Sequence, residues 1–319
     1  MFTWTKLGRI FDPTAERPRP WMQAYAQCPT PFLYDADTLR VYFATRPPRG
    51  TDLQYVAYPG YVDLARNDLH RVTRIAADPL LPLGGPGAFD EFGLMPSAVV
   101  RHGDAVHLYY TGWSRMASVP YTTAIGLAIS HDGGDTFRKV GEGPLLGLTL
   151  NEPYLVNSPT VRIVEGVWHL WYMTGLGWLP NEGAPEAVFR IAHATSADGI
   201  HWQRDGRTII SPHHPDECQD LFQPFRLDGR WHAIFAWRRA LGFRTDPAAM
   251  YRLGYAWSDD LVHWTRDDAQ AGLTVSDDGW DAQMLCSTQA IELDGRILLF
   301  YCGNTFGREG FGIAELTGR

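Results

Sequence analysis

Five units of one pattern run through this chain, and a five-fold repeat of short strands leaves few folds open. In each unit a turn is followed six positions later by an aromatic residue: Ala36 to Tyr42, Gly103 to Tyr109, Gly166 to Tyr172, Gly229 to Phe235 and Gly295 to Tyr301. In three units a proline stands thirteen positions before that aromatic (Pro29, Pro96 and Pro159), so these stretches superimpose as strand, turn, strand. Strand-rich units recurring every 50 to 65 residues or so argue for a propeller.

The second half of each unit repeats as well. Residues 125–140, 191–205 and 253–267 each read as a strand of alternating side chains, a tight Asp-containing turn, and a strand opened by an aromatic. The sequence therefore predicts an all-β chain, a five-bladed β-propeller with four antiparallel strands per blade. Residues 2–10 match the fourth strands of the other units, whereas the chain ends on a third-strand pattern. The N-terminal strand is expected to close the last blade, which removes an exposed sheet edge. With no linker or change in composition between units, residues 1–319 read as a single domain.

A net charge of −8 with acids spread along the chain offers no clustered Lys and Arg for phosphates, so nucleic acid is not an expected partner. No stretch has the apolar length of a membrane span and the N-terminus lacks a signal-peptide core, so the expected location is cytoplasmic, away from membranes. Cys28, Cys218, Cys286 and Cys302 have no CxxC spacing, and neither a disulfide framework nor a metal or other cofactor is expected. Cys28 and Cys286 fall at nearly matching positions on first strands. They are read as small buried hydrophobes, with a nucleophile or zinc ligand as the alternative.

In a propeller the first strands line the channel, so the loops leading into them and those joining second to third strands converge at one end. The leading loops at 87–97, 150–160, 216–225 and 277–288 carry Asp90 and Glu91, Glu152, Asp216 with Glu217 and Asp220, and Asp277, Asp278 and Asp281. Carboxyls gathered at one mouth can divide acid and base roles, as glycosidic cleavage requires. Glu152 is expected as proton donor, Asp90 or Glu91 as base and Asp281 as a positioning carboxylate. The alternative use of each acid is structural, capping a turn or pairing with an Arg. Arg46, Trp113, Tyr121, Asn157, Trp178, Gln223, Arg238, Arg239 and Asn304 are the expected substrate contacts, forked guanidiniums suiting an anionic or hydroxyl-rich ligand. Asp132, Asp135, Asp198, Asp259 and Asp260 belong to turns between third and fourth strands and are assigned local roles. Trp4, Phe137, Trp202 and Trp264 are expected to pack between blades, and His201 and His263 to face solvent.

The first-strand prolines, the SADGIHW and SDDLVHW turns and the YYTGW and WYMTGLGW strand ends resemble the five-bladed propeller glycosidases, glycoside hydrolase families 43, 32 and 130. WMQAYAQCPTP, GLMPSAVV, NEPYLVNSP and GWDAQM are similar to glycosidase-like proteins of bacterial saccharide biosynthesis. The resemblance implies the fold, a site at the channel mouth and a saccharide or sugar-like ligand. In the hydrolases an acid usually precedes the first-strand proline, whereas Cys28, Met95 and Ser158 stand there in this chain. Three activities follow as expectations: glycoside hydrolysis, a non-hydrolytic lyase, isomerase or cyclase step on a biosynthetic intermediate, or sugar binding without chemistry.

Overall fold

A computed structural model describes residues 1–15, 19–50 and 55–319. The N-terminal strand β1 (Thr3–Phe11) is followed by five groups of strands. Blade 1 is β2 (Ala24–Leu33), β3 (Thr38–Arg46), β4 (Tyr58–Ala65) and β5 (Asp68–Ile75), and blade 2 is β6 (Gly93–His102), β7 (Ala105–Arg115), β8 (Tyr121–Ser130) and β9 (Arg138–Lys139). Blade 3 is β10 (Val156–Val164), β11 (Val167–Leu179), β12 (Glu186–Ser196) and β13 (Trp202–Thr208). Blade 4 is β14 (Glu217–Leu227), β15 (Arg230–Arg239), β16 (Arg252–Ser258) and β17 (Thr265–Arg266). Blade 5 joins β18 (Cys286–Leu293), β19 (Arg296–Cys302) and β20 (Phe311–Gly318) to β1, its outer strand, as the N-terminal pattern predicts. Every sheet is antiparallel in simple meander order apart from that closure.

The first strands touch in sequence around an axis, β2 to β6 to β10 to β14 to β18 and back to β2, so the ring is closed. Apolar faces of the sheets supply the packing. Phe137 of blade 2 meets Tyr42 of blade 1 at 5.8 Å between centroids, and Trp202 of blade 3 meets Tyr109 of blade 2 at 6.2 Å, both edge to face. Trp264 packs on Phe222 of its own blade at 4.6 Å, in a cluster that includes Trp171 of blade 3. Trp4 donates its indole N–H to the Ala271 carbonyl at 2.8 Å, fastening the closing strand. Burying each such ring stabilises the fold by roughly 1.5–3 kcal/mol.

The Asp turns serve as local anchors. Asp198 accepts from the Ile200 and His201 amides, and Asp260 from the Val262 and His263 amides, all at 2.8–2.9 Å. Both hold the following, solvent-exposed histidine ring at 2.7 Å. Asp132 does the same with the Asp135 and Thr136 amides. Asp135 has a further role: with Asp63 and the Gly134 carbonyl it surrounds the buried Arg40 guanidinium, tying blade 1 to blade 2.

Candidate functional site

The loop carboxylates expected to meet over the channel are each paired with a cation of their own blade. Lys139 Nζ on β9 lies 2.7 Å from Asp90 Oδ2, and the Tyr110 hydroxyl donates to the same oxygen at 3.2 Å. Arg204 Nη1 on β13 lies 2.7 Å from Glu152 Oε2, with Tyr172 beside it, its phenol raised by burial and then by that carboxylate. Lys6 Nζ on β1 lies 2.7 Å from Asp281 Oδ2, and Tyr301 donates its hydroxyl there at 3.0 Å. Blade 4 repeats the device with Glu217 and Arg266 of β17 at 2.7 Å. In every blade of this set the cation comes from the fourth strand, farthest from the axis, so the carboxylate straps the leading loop to its own outer strand. Asp90, Glu152 and Asp281, expected to act together at the channel mouth, are each engaged by the cation that their own outer strand supplies. Among the described residues Glu152 Oε1 has no hydrogen-bond partner. Glu91 accepts the Gly87 amide at 2.9 Å and shapes its loop.

A different set of residues surrounds the axis. Four first strands bulge at one level: pairing with the second strand is interrupted between Gln27 and Thr30, Asn157 and Thr160, Asp220 and Gln223, and Cys286 and Gln289. Within the bulges Cys28, Ser158, Leu221 and Ser287 adopt φ of 54°, 49°, 43° and 52°, the left-handed region that disfavours side chains. Such conformations cost about 1–3 kcal/mol each and bulges re-aim side chains, which makes this ring a candidate site. Blade 2 skips only Ser97 after Pro96. Farther along the channel the strands are stitched to one another: Gln223 donates to Thr160 at 2.8 Å and accepts the Ala290 amide, and Gln289 donates to the Ser97 carbonyl at 2.7 Å.

Asp220 is the carboxyl of that ring. It interacts with Ser158 of blade 3, Cys28 of blade 1 and Cys286 of blade 5, which places it close to the axis. Burial pushes its carboxyl up to about 6, against the pull of Ser158, Arg238 and the Leu221 amide. Burial and then the Asp220 charge push the Cys28 thiol up to about 12, and Cys286 rises for the same reasons. A thiol shifted upward is a poor nucleophile at neutral pH. Asp220 Oδ1, Asn157 Oδ1 at the matching position of blade 3, Arg238 Nε and Arg46 Nε are buried without hydrogen-bond partners among the described residues.

The structure brings several expected contacts to this ring. Arg238, buried under the rings of Phe243 and Tyr251 at 3.5 and 5.5 Å, acts on Asp220, Cys218 and Tyr121. Tyr121 and Trp178 cross edge to face at 5.3 Å beside it, and burial raises the Tyr121 phenol to about 12. Arg46 lies between Tyr25 and Tyr55, 4.5 and 4.4 Å from their centroids, and acts on Cys28. The other expected contacts are committed elsewhere. Arg239 pairs with Asp216 at 2.8 Å, Gln223 stitches blades, and Trp113 packs on Phe92 at 6.1 Å. Asn304 donates to the Gly279 carbonyl and accepts the Gln283 amide, closing a turn. Asp220 was visible as one of several loop acids but not singled out, because blade 4 lacks the proline used to align the units. Counting thirteen positions back from Phe235 reaches Phe222, and that count aligns Asp220 with Asn157.

No family model matches the chain. It is 33% identical over 317 residues to the uncharacterized protein Rv1502 of Mycobacterium tuberculosis, covering 98% of this chain and 99% of that protein. Among solved structures, a glycoside hydrolase superimposes over 100% of this chain and 93% of its own, with a TM-score of 0.76 at 18% identity. The β-1,2-mannobiose phosphorylase of Listeria innocua, solved with β-1,2-mannobiose, covers 99% and 96% with a TM-score of 0.68 at 13% identity. These likenesses show the fold. Among the described residues no helix is long and apolar enough to cross a membrane.

Proposed function

Because the chain belongs to the family of the mycobacterial protein Rv1502, with the five-bladed propeller fold of the glycoside hydrolases, we propose that it is a carbohydrate-active enzyme whose acid/base group is Asp220. The observation that carries this reading is one buried carboxyl on the axis with an unpartnered oxygen, ringed by strained first-strand residues and by Asn157, Arg238 and Arg46 atoms that also lack partners. A carboxyl near 6 exchanges a proton readily at neutral pH, so Asp220 donates to a leaving glycosidic oxygen or accepts from a hydroxyl. Arg238 and Asn157 orient the sugar, and Trp178 with Tyr121 forms the aromatic wall on which its ring rests. Asp90, Glu152 and Asp281 keep the loops of this mouth in place. The ring of blades acts as one domain, and four free buried thiols suit a reducing, cytoplasmic setting.

Turnover of a panel of aryl glycosides and disaccharides by the wild type and Asp220→Asn tests the assignment. A substrate of the wild type should lose roughly a hundred- to ten-thousandfold in rate in the variant; an unchanged rate would overturn it. A second reading follows from Asp220 being the carboxylate that acts on Cys28, Cys286 and Tyr251 around the axis. Glycosidic hydrolysis ordinarily uses two carboxyls, whereas elimination, isomerisation or ring closure needs one positioned acid or base. Products lacking the elements of added water would select that reading.

A further inference from the structure

Among the described residues two guanidiniums at this site, Arg238 buried and Arg46 partly buried, form no ion pair with a carboxylate. Arg238 is 4% exposed. Its Nη1 donates to the carbonyls of Arg239 and Ala240 at 2.7 and 3.4 Å, aromatic rings cover its face, and Nε has no partner among the described residues. The wall carboxylates that could have neutralised it are taken: Asp216 pairs with Arg239 and Glu186 with Arg244. Asp220 acts on Arg238 without forming an ion pair with it. On the blade 1 side, Arg46 is held between two tyrosine rings and gives one Nη2 bond to Gln27 at 2.8 Å, and its Nε has no partner among the described residues. Arg49 stacks on Tyr55 as well, at 4.1 Å, and donates to its hydroxyl, so positive charge accumulates there. The two arginines border neighbouring thiols: Arg46 acts on Cys28, Arg238 on Cys286, and the two thiols act on each other.

Burying a charge with no counter-ion in contact is destabilising, and a neutral sugar would leave both guanidiniums without an ion-pair partner. Guanidinium forks fixed by aromatic faces, with an N–H left free, match the planar geometry of a carboxylate or the oxygens of a phosphate. We infer that the ligand of this site carries an oxyanion, a carboxylate or a phosphate, seated between Arg46 and Arg238 at the level of the bulge ring. The inference rests on the proposed function for the location of the site and adds the class of its ligand.

Calorimetric titration of the full chain with glucuronate, inorganic phosphate and glucose tests it. At least one of the two anions should bind, with glucose at least about tenfold weaker, and the tighter of the two tells whether a carboxylate or a phosphate is the fitting group. Arg46→Gln and Arg238→Gln should each weaken anion binding roughly ten- to hundredfold, with the corresponding Lys variants between. If Arg238→Gln does not fold by melting temperature, Arg46→Gln at the less buried position decides. Binding of neither anion, equal binding of glucose and glucuronate, or anion affinity that survives both Gln substitutions would overturn the inference. Asp220-dependent turnover of a neutral glycoside by a protein without anion affinity would sink this inference alone. Arginine-dependent anion binding with turnover unchanged in Asp220→Asn would sink the proposed function alone.

Discussion

Asp220 and the strap carboxylates are the same kind of group in the same kind of loop-to-strand junction, yet their surroundings give them opposite occupations. Asp90, Glu152, Glu217 and Asp281 each reach a Lys or Arg on the outer strand of their own blade at 2.7 Å. Asp220 faces the axis, where its neighbours are thiols, hydroxyls and tyrosines, and its carboxyl rises to about 6. A carboxylate with a cation in contact holds structure. One that is buried without such a contact can carry a proton, and that is the property an acid/base catalyst needs.

The contrast can be broken by exchanging the two carboxyls for their amides. Asp220→Asn should lose roughly a hundred- to ten-thousandfold in turnover of a wild-type substrate with no loss of melting temperature at neutral pH, since the amide fills the same space without a charge to bury. Glu152→Gln should do the reverse. It leaves Arg204 buried and uncompensated, which should cost about 3–5 kcal/mol in denaturant unfolding while turnover of the folded fraction stays within about twofold. Glu217→Gln leaves Arg266 its second partner, Asp268 at 2.7 Å, and should cost less than Glu152→Gln. Turnover lost with stability intact in Glu152→Gln would return the catalytic role to the strap.

A pH series sharpens the contrast further. The folded-state value of Asp220 lies above its unfolded value of 3.8, so its stabilising contribution is complete below about pH 4 and is lost as pH rises through about 6. Asp220→Asn lacks this dependence and should gain on the wild type by about 3 kcal/mol between those limits. Equal pH dependence of unfolding in the two proteins would contradict the burial argument. Tyr301→Phe removes one hydrogen bond to Asp281 at 3.0 Å but leaves Lys6, so it should lower stability by only about 1 kcal/mol.

The propeller was legible because blade geometry is written in local periodicity: a turn, an aromatic six positions on, and a strand that alternates. Closure by residues 2–10 was legible for the same reason, since fourth-strand residues look alike in every blade. The site was legible only as a place. Its loops could be located, but which of their acids meets a cation depends on Lys139, Arg204 and Lys6, which lie 49, 52 and 275 positions away from their partners. The bulges were hidden by the prolines that marked them: Pro29 and Pro159 follow residues of positive φ, whereas Leu221 and Ser287 reach the same conformation ahead of Phe222 and Thr288. Arg46, Tyr121, Asn157, Trp178 and Arg238 were expected contacts because the loops entering first strands and leaving second strands recur from blade to blade.

Carbon-detected NMR titration of the side-chain carboxyls, comparing the wild type with Asp220→Asn, tests the central claim without needing a substrate. One resonance should titrate with a midpoint of about 6 and disappear in the variant. If every carboxyl titrates within the ordinary carboxylate range, or if the high-titrating resonance survives in Asp220→Asn, the proton-bearing group of this propeller lies elsewhere.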